Sequence, residues 1–418
     1  MGRSDHTFVY RNNELYCEEV PVRQIAEQAG TPVYIYSGGR IAGRFAEFDR
    51  ALGSYPHQVC FAVKANSNLA VLRLLARHNA GFDIVSGGEL YRVLQAGGKA
   101  SRTVFSGVGK TAAEIDYALR SGILLFNCES ESELRLLSER ARRLRTRARI
   151  ALRVNPRVNA KTHPYIATGL EEHKFGLDMP LAEELYERAQ EWPGLQLTGL
   201  SCHIGSQIAD LEAFAEALTK LARMAARLRQ KKLAVESLDA GGGLGVPYRP
   251  TESFPSISAY ARTIKKCLRG TGLKLLLEPG RAIAGDAGIL VTRVVHTKTT
   301  GRKRFVIVDA AMNDMIRPAL YGAHHEIQPV VRSRRKEETA DLVGPVCESA
   351  DFFAEKRRMP RAEQGDLLSI STVGAYGFVL SSNYNSRPRP PEVLVEGRRW
   401  SVARQRETLR DLIRGEKE

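Results

Sequence analysis

The chain has 418 residues, 43% of them apolar and 26% charged, with a formal net charge of +15; it is too long for one ordinary core, so two domains of a soluble globular protein are expected. No run approaches the roughly 18 to 20 apolar residues of a membrane span, and the polar start MGRSDHTFVYRNNE lacks a secretory signal's apolar core, so no membrane partner and a cytoplasmic location are expected. The densest arginine runs, at 139–149 and 332–338, are interleaved with acids or lie on a predicted helix, which reads as a solvated face with no nucleic-acid partner.

In chain order, residues 1–35 contain HTFVYRNNELYCEEV, which reads as a β-hairpin. From residue 58 short apolar runs alternate with longer amphipathic ones. The predicted strands begin at QVCFAVK, GFDIVS, TVFSG, LLFNCES, RIALRVNP, LQLTGLSCHIG, VESLDAGGG and LKLLLEPGR. Between them run helical patterns such as LAVLRLLARHN, GGELYRVLQAG, ESELRLLSERARRL and DLEAFAEALTKLARMAARLRQ. Eight such units predict a (β/α)₈ barrel over residues 36–280. A doubly wound sheet would carry GxGxxG after its first strand, and none is there. Beyond EPGR the pattern changes to a two-residue period in AGILVTRVVHTKTT, KRFVIVDA, GDLLSIST and PEVLVEGRRWSV, which predicts a mainly antiparallel β-domain over 281–418, joined by the N-terminal strands. The six cysteines are dispersed, with no CxxC pair and no His/Cys cluster at metal spacing, so reduced thiols and no metal are expected.

Barrels of this kind carry their chemistry at the C-terminal ends of the strands. Lys64 stands at the first such end, Asp83 in the second strand, His203 after the sixth, GGGLG at 241–245 after the seventh and Glu278 after the eighth. Each alone has an ordinary explanation as a solvated lysine, a rim histidine or a turn; five on one rim do not. Consecutive glycines let backbone N–H groups approach an anion closely, and the loops after strands seven and eight are a common phosphate site. A buried lysine facing a phosphate-bearing aldehyde is the arrangement of pyridoxal 5'-phosphate held as a Schiff base. Glu278 would then face the pyridine nitrogen and keep it protonated, with His203 stacked on the ring.

Several segments extend this reading: FAVKAN (61–66), FDIVSGGEL (82–90), THPYIATGLEEHKFG (162–176), CHIGSQI (202–208), DAGGGLG (239–245), EPGR (278–281), DAAMNDMIRPALY (309–321), GPVCESAD (344–351) and GAYGF (374–378). In order and spacing they resemble the fold-type III pyridoxal-phosphate enzymes, and among those the diaminopimelate decarboxylases. Two positions differ from the usual pattern, Phe61 where tyrosine is common and His173 where asparagine is usual. The resemblance implies that Lys64 carries the cofactor, with Asp83, His203, Ser206, Gly241, Gly242, Gly243, Glu278, Gly280, Arg281 and Tyr376 around it. It implies that Arg281, Arg317, Tyr321 and Tyr376 meet the substrate, with Glu348 on its distal ammonium, and that Lys64, His203, Glu278 and Cys347 take part in catalysis. Cys347, taken alone an inert thiol, becomes in this motif a proton donor that reaches the site with Glu348 from the second copy of a homodimer with shared active sites. The implied reaction is decarboxylation of meso-2,6-diaminopimelate at its D-centre to L-lysine, the last step of lysine biosynthesis. The rivals are decarboxylases of ornithine, lysine, arginine or carboxynorspermidine, in which an aspartate tends to follow the cysteine. An alanine racemase would place an arginine where Glu278 stands. A non-catalytic pyridoxal-phosphate carrier would lack the second domain.

Overall fold

The computed structural model describes residues 7–159 and 174–417. Residues 162–173 of the THPYIATGLEEHKFG segment, His173 among them, lie outside the described residues. The chain divides into two compact units. One comprises the chain up to Ile41 with Pro247–Glu252 and Ile283–Glu418; the other comprises Ala42–Val246 and Ser253–Ala282.

The second unit is the expected barrel. Its strands are His57–Ala62, Gly81–Ile84, Thr103–Phe105, Leu125–Cys128, Ala148–Arg153, Leu195–Ser201, Ser237–Asp239 and Lys274–Leu277. They pair in parallel in that order, and Leu275–Leu277 closes the ring against His57–Val59. Small and branched side chains fill the interior, with Cys60, Val104, Leu125, Ala151 and Leu276 packed together. The strands are short and nearly fully buried, which is why they read as apolar runs rather than alternating ones. Each helix starts where a strand has ended, so its N-cap stands near the mouth. Ser86, Thr111, Ser130 and Ser256 each accept a bond from a backbone N–H three residues on, and thereby end the preceding loop at a defined place.

The other unit is built on a nine-stranded sheet whose central member is the 13-residue strand Gly288–Thr300. It pairs antiparallel with Val33–Ser37, Lys303–Val308 and Leu367–Ile370. Two parallel pairings, of Val33–Ser37 with Glu392–Glu396 and of Lys303–Val308 with Glu337–Val343, make the sheet mixed rather than purely antiparallel. Phe8–Arg11, Glu14–Cys17 and Val20–Pro21 form a separate three-stranded sheet, and its Leu15, Cys17 and Val20 pack with Ile35, Val291 and Val393 in one core. All five residues of Val33–Ser37 are buried, because this strand lies between two others in the sheet. That places the whole strand, and not only the chain up to residue 35, with the β unit.

Candidate active site

In the barrel, the last residues of the strands and the turns after them converge on one cavity of about 230 Å³, lined among others by Lys64, Ser106, Asn127, Arg153, His203 and Glu278. The apolar strand that precedes Lys64 ends two residues earlier, at Ala62, and Val63–Ala65 form a 3₁₀ turn. This turn corrects the expectation of a buried lysine: the side chain retains 38% of its exposure and reaches into the cavity. Its ammonium donates to Asp83 Oδ2 at 2.5 Å, and Asp83 is wholly buried. A charged lysine is tolerated here because a carboxylate meets it and the mouth remains open.

Glu278 is 9% exposed and follows the eighth strand. Its Oε1 accepts from Ser106 Oγ at 3.1 Å and from Asn127 Nδ2 at 3.2 Å. Burial and the neighbouring Asp239 and Asp83 push its pKa well above the ordinary carboxylate value, with Lys64 opposing. His203 Nδ1 accepts from the Gly242 N–H at 3.3 Å. Desolvation, with the positive charges of Arg153 and Lys64, lowers its pKa to about 3, so the ring is neutral at physiological pH.

The glycine run is held where no side chain fits. A Cβ on Gly241 would lie 2.6 Å from the Cys202 carbonyl oxygen, on Gly242 2.3 Å from that of Glu278, and on Gly243 2.5 Å from that of Gly205. Gly241 and Gly243 also sit at φ of +64° and +106°, which other residues adopt only under strain. Nearby, the Arg281 guanidinium lies 3.4 Å from Ser206 Oγ. A Cβ on Gly280 would meet those of Ala65 and Ala62 at 2.8 and 3.1 Å, so Gly280 backs directly onto the lysine turn.

The remaining site candidates belong to the β unit. Arg317 opens the short helix Arg317–Tyr321 and is 8% exposed. Its guanidinium lies 5.3 Å from the Tyr248 ring centroid and 5.7 Å from that of Tyr321, which fixes the orientation of its fork. Cys347 and Glu348 are exposed, and Glu348 Oε2 accepts from Tyr384 Oη at 2.8 Å. The buried Asp351 shapes their loop by accepting from the Val346 and Met312 N–H groups, each at 2.7 Å. Tyr376 has a φ of +57°, between Gly374 and Gly377, whose added Cβ atoms would strike the carbonyl oxygens of Ala284 and Val373.

A model of the pyridoxal binding domain of pyridoxal-dependent decarboxylases matches residues 38–285. The diaminopimelate decarboxylase of Pseudomonas aeruginosa is 51% identical over 410 residues, 98% of either chain. The chain belongs to the diaminopimelate decarboxylase family of pyridoxal-dependent decarboxylases. Crystal structures of diaminopimelate decarboxylases complexed with L-lysine agree with it in fold. The one from Helicobacter pylori superposes with a TM-score of 0.91 at 43% identity, covering 94% of this chain and 98% of that one. The one from M. jannaschii has a TM-score of 0.94 at 36% identity, covering 99% and 98%.

For a member of this family the donor set fits a pyridoxal phosphate: an amine in an open cavity, a glycine cradle that excludes side chains, and a carboxylate near the lysine. Sequence reasoning overlooked Ser106, Asn127 and Arg153, which line the same cavity from the third, fourth and fifth strands. The signal was present, since all three stand at or near strand C-termini. Arg153 is further fixed by Glu129 at 2.9 Å and by the Phe175 ring at 4.9 Å. Asp239, Tyr248, Tyr384 and Asp351 were also passed over. Only their contacts distinguish them from ordinary strand and loop residues.

Proposed function

We propose that this chain removes the D-centre carboxylate of meso-2,6-diaminopimelate, leaving L-lysine and carbon dioxide, with pyridoxal 5'-phosphate as its cofactor. The observation that carries the reading is the Lys64 amine, bonded to Asp83 at 2.5 Å in the cavity that Glu278 also lines. The L-lysine bound by the Helicobacter pylori and M. jannaschii relatives is the product such a reaction leaves.

When bound, the cofactor supplies an electrophilic carbon for the amine and a ring that accepts the electron pair released with carbon dioxide. Lys64 is the residue that holds it, and Asp83 orients the lysine amine. Gly241, Gly242 and Gly243, with Ser206, direct N–H and O–H donors at the phosphate. Glu278 would stabilise positive charge on the ring nitrogen, and the neutral His203 would pack against the ring without adding charge. Gly280 backs onto the lysine turn, and Arg281 and Tyr376 would be further contacts of the cofactor. The distal carboxylate is read by the guanidinium forks of Arg281 and Arg317 with Tyr321, and the distal ammonium by Glu348. Cys347 returns a proton to the α-carbon. Its exposure in the single chain fits a residue that acts in the site of a second copy, giving a homodimer with shared sites.

The test is release of carbon dioxide from meso-diaminopimelate by the purified, cofactor-loaded protein, with L-lysine and L-ornithine offered in parallel. Turnover of the first alone is expected. Comparable turnover of ornithine would show that the site reads a simple basic amino acid.

A further inference from the structure

We infer that Asp239 is a positioning residue that shares a single proton directly with Glu278, the two carboxyl groups being held together by Asn127, so that Glu278 alone presents negative charge to the ring nitrogen. The inference rests on the reading that Glu278 faces that nitrogen, and goes beyond it in assigning the residues behind it.

Asp239 ends the seventh barrel strand and is 1% exposed; Asn127, in the fourth strand, is 2% exposed. Asn127 Nδ2 lies 3.1 Å from Asp239 Oδ2, 3.2 Å from Glu278 Oε1 and 3.0 Å from Ser106 Oγ. One amide nitrogen with two hydrogens thus faces three acceptors, two of them carboxylate oxygens. The two carboxyl groups also hydrogen-bond each other, and neutral donors meet both: the Gly241 N–H on Asp239 Oδ1 at 2.9 Å and the Ser106 hydroxyl on Glu278.

The charged and titratable groups around the pair come from several elements. Lys64 and Cys60 come from the first strand and its turn, Asp83 from the second, Arg153 from the fifth, Cys202 and His203 from the end of the sixth, and Tyr260 from the helix Ile257–Cys267. Lys64 donates to Asp83 and Arg153 to Glu129, and the Lys64 charge also acts on Glu278. Two buried carboxyl groups hydrogen-bonded to each other do not both ionise, and one proton between them makes that bond and removes the repulsion. Burial raises the pKa of both groups; Asp239 and Asp83 raise Glu278 further, whereas the hydrogen bond between the two carboxyl groups lowers Asp239.

When a cation faces Glu278, the favourable place for the proton is Asp239, the carboxyl farther from that cation. The neutral acid then keeps Glu278 ionised while Asn127 keeps it in place. Asp239 also ties this carboxylate to the phosphate cradle: Gly241 donates to Asp239, and its carbonyl accepts from the Glu278 N–H at 2.7 Å. One backbone-anchored acid therefore ties the glycine cradle to the Glu278 carboxylate, the two places that would hold the ends of the cofactor.

The experiment compares wild-type, Asp239→Asn, Asp239→Ala and Glu278→Gln holoenzymes by infrared spectroscopy of protonated carboxyl groups. In parallel it uses ¹⁵N NMR of cofactor labelled at the ring nitrogen. Wild type should show one pH-insensitive protonated carboxyl band, which Asp239→Asn abolishes. Because the amide is neutral like the acid and still accepts from Gly241, Asp239→Asn should be less impaired in kcat, and less shifted in ¹⁵N, than Glu278→Gln. Asp239→Ala leaves the Gly241 N–H without its acceptor and should bind cofactor roughly 10-fold or more weakly. A band that survives in Asp239→Asn, or an Asp239→Asn enzyme as impaired as Glu278→Gln, overturns the inference. An unchanged ¹⁵N shift in Glu278→Gln instead removes the reading on which it rests. Should Asp239→Asn not fold, ¹³C-aspartate labelling of the wild-type holoenzyme decides the matter, since the Asp239 carboxyl carbon must then resonate as a neutral acid.

Discussion

Replacing Gly242 with alanine tests whether the glycine run is a shaped cradle or an ordinary turn. The added methyl carbon would stand 2.3 Å from the Glu278 carbonyl oxygen, 3.1 Å from its carbonyl carbon and 3.6 Å from Pro279 Cα. Ordinary contact begins near 3.4 Å, so the tails of strands seven and eight must part by about 1 Å. Every obstructing atom is backbone, so no rotamer change relieves the clash. Movement is opposed by the Glu278 N–H bond to the Gly241 carbonyl at 2.7 Å and by the Ala62 N–H bond to the Pro279 carbonyl at 3.2 Å. Overpacking of this kind costs about 1–3 kcal/mol. In a unit of this size each kcal/mol lowers the melting temperature by about 2–4 °C. The same displacement carries Glu278 and the cradle N–H groups away from the cofactor, and affinity should fall by ~10- to 100-fold. Calorimetric melting and titration of the apoprotein with pyridoxal phosphate, followed by absorbance, read the two effects. Gly88→Ala is the control, because its nearest neighbour is the Ser86 hydroxyl oxygen at 3.7 Å and it lies within the helix Gly87–Gln95. It should leave binding unchanged and raise stability by roughly 0.5–1 kcal/mol. Unaltered cofactor binding in Gly242→Ala would refute the cradle.

Other outcomes follow from the same geometry. Lys64→Ala and Cys347→Ala should each be inactive, yet subunit-exchanging mixtures should recover up to about one quarter of wild-type turnover, because half of random dimers pair one of each and hold one intact site; no recovery would exclude shared sites. Asp351→Ala should leave cofactor absorbance unchanged but lower kcat, since the Val346 and Met312 N–H groups lose a buried acceptor and the Cys347 loop loosens. His203 is depressed to about 3 from the usual 6.5, so the unfolded chain binds the extra proton between those values. Stability from this group is whole above pH 6.5 and lost as pH falls toward 3, and His203→Asn should flatten the acid limb of apoprotein melting. Glu89, raised to about 7 chiefly by burial, acts in the opposite sense: its contribution is present near pH 4 and lost as pH rises through 7, and Glu89→Gln should remove that slope.

The barrel was legible because its information is local. Strands such as QVCFA and GFDI are buried on both faces and read as apolar blocks, and the helices that follow show an apolar stripe and an Asn, Ser, Thr or Asp side chain at the N-cap. The strand Val33–Ser37 was harder to assign to a unit, because its pairing partners lie more than 250 residues away and nothing in VYIYS names them. Glu337–Val343 was not singled out as a strand, since its first half is charged and mostly exposed.

For the site, residue type and position at strand ends determined which groups could do chemistry: Lys64, His203, the glycine run and Glu278 all stand where a barrel directs side chains and turns to its mouth. Only the tertiary structure decided that Lys64 meets Asp83 from an open 3₁₀ turn, and that Asn127 stands between Asp239 and Glu278, 112 and 151 residues away in the chain. Backbone periodicity is set by neighbours along the chain, whereas a hydrogen-bond partner or a shifted pKa depends on charges and solvent exclusion contributed by other strands. Which polar residues face the cavity is therefore written in the sequence pattern, and how strongly each holds its proton is set when the barrel closes.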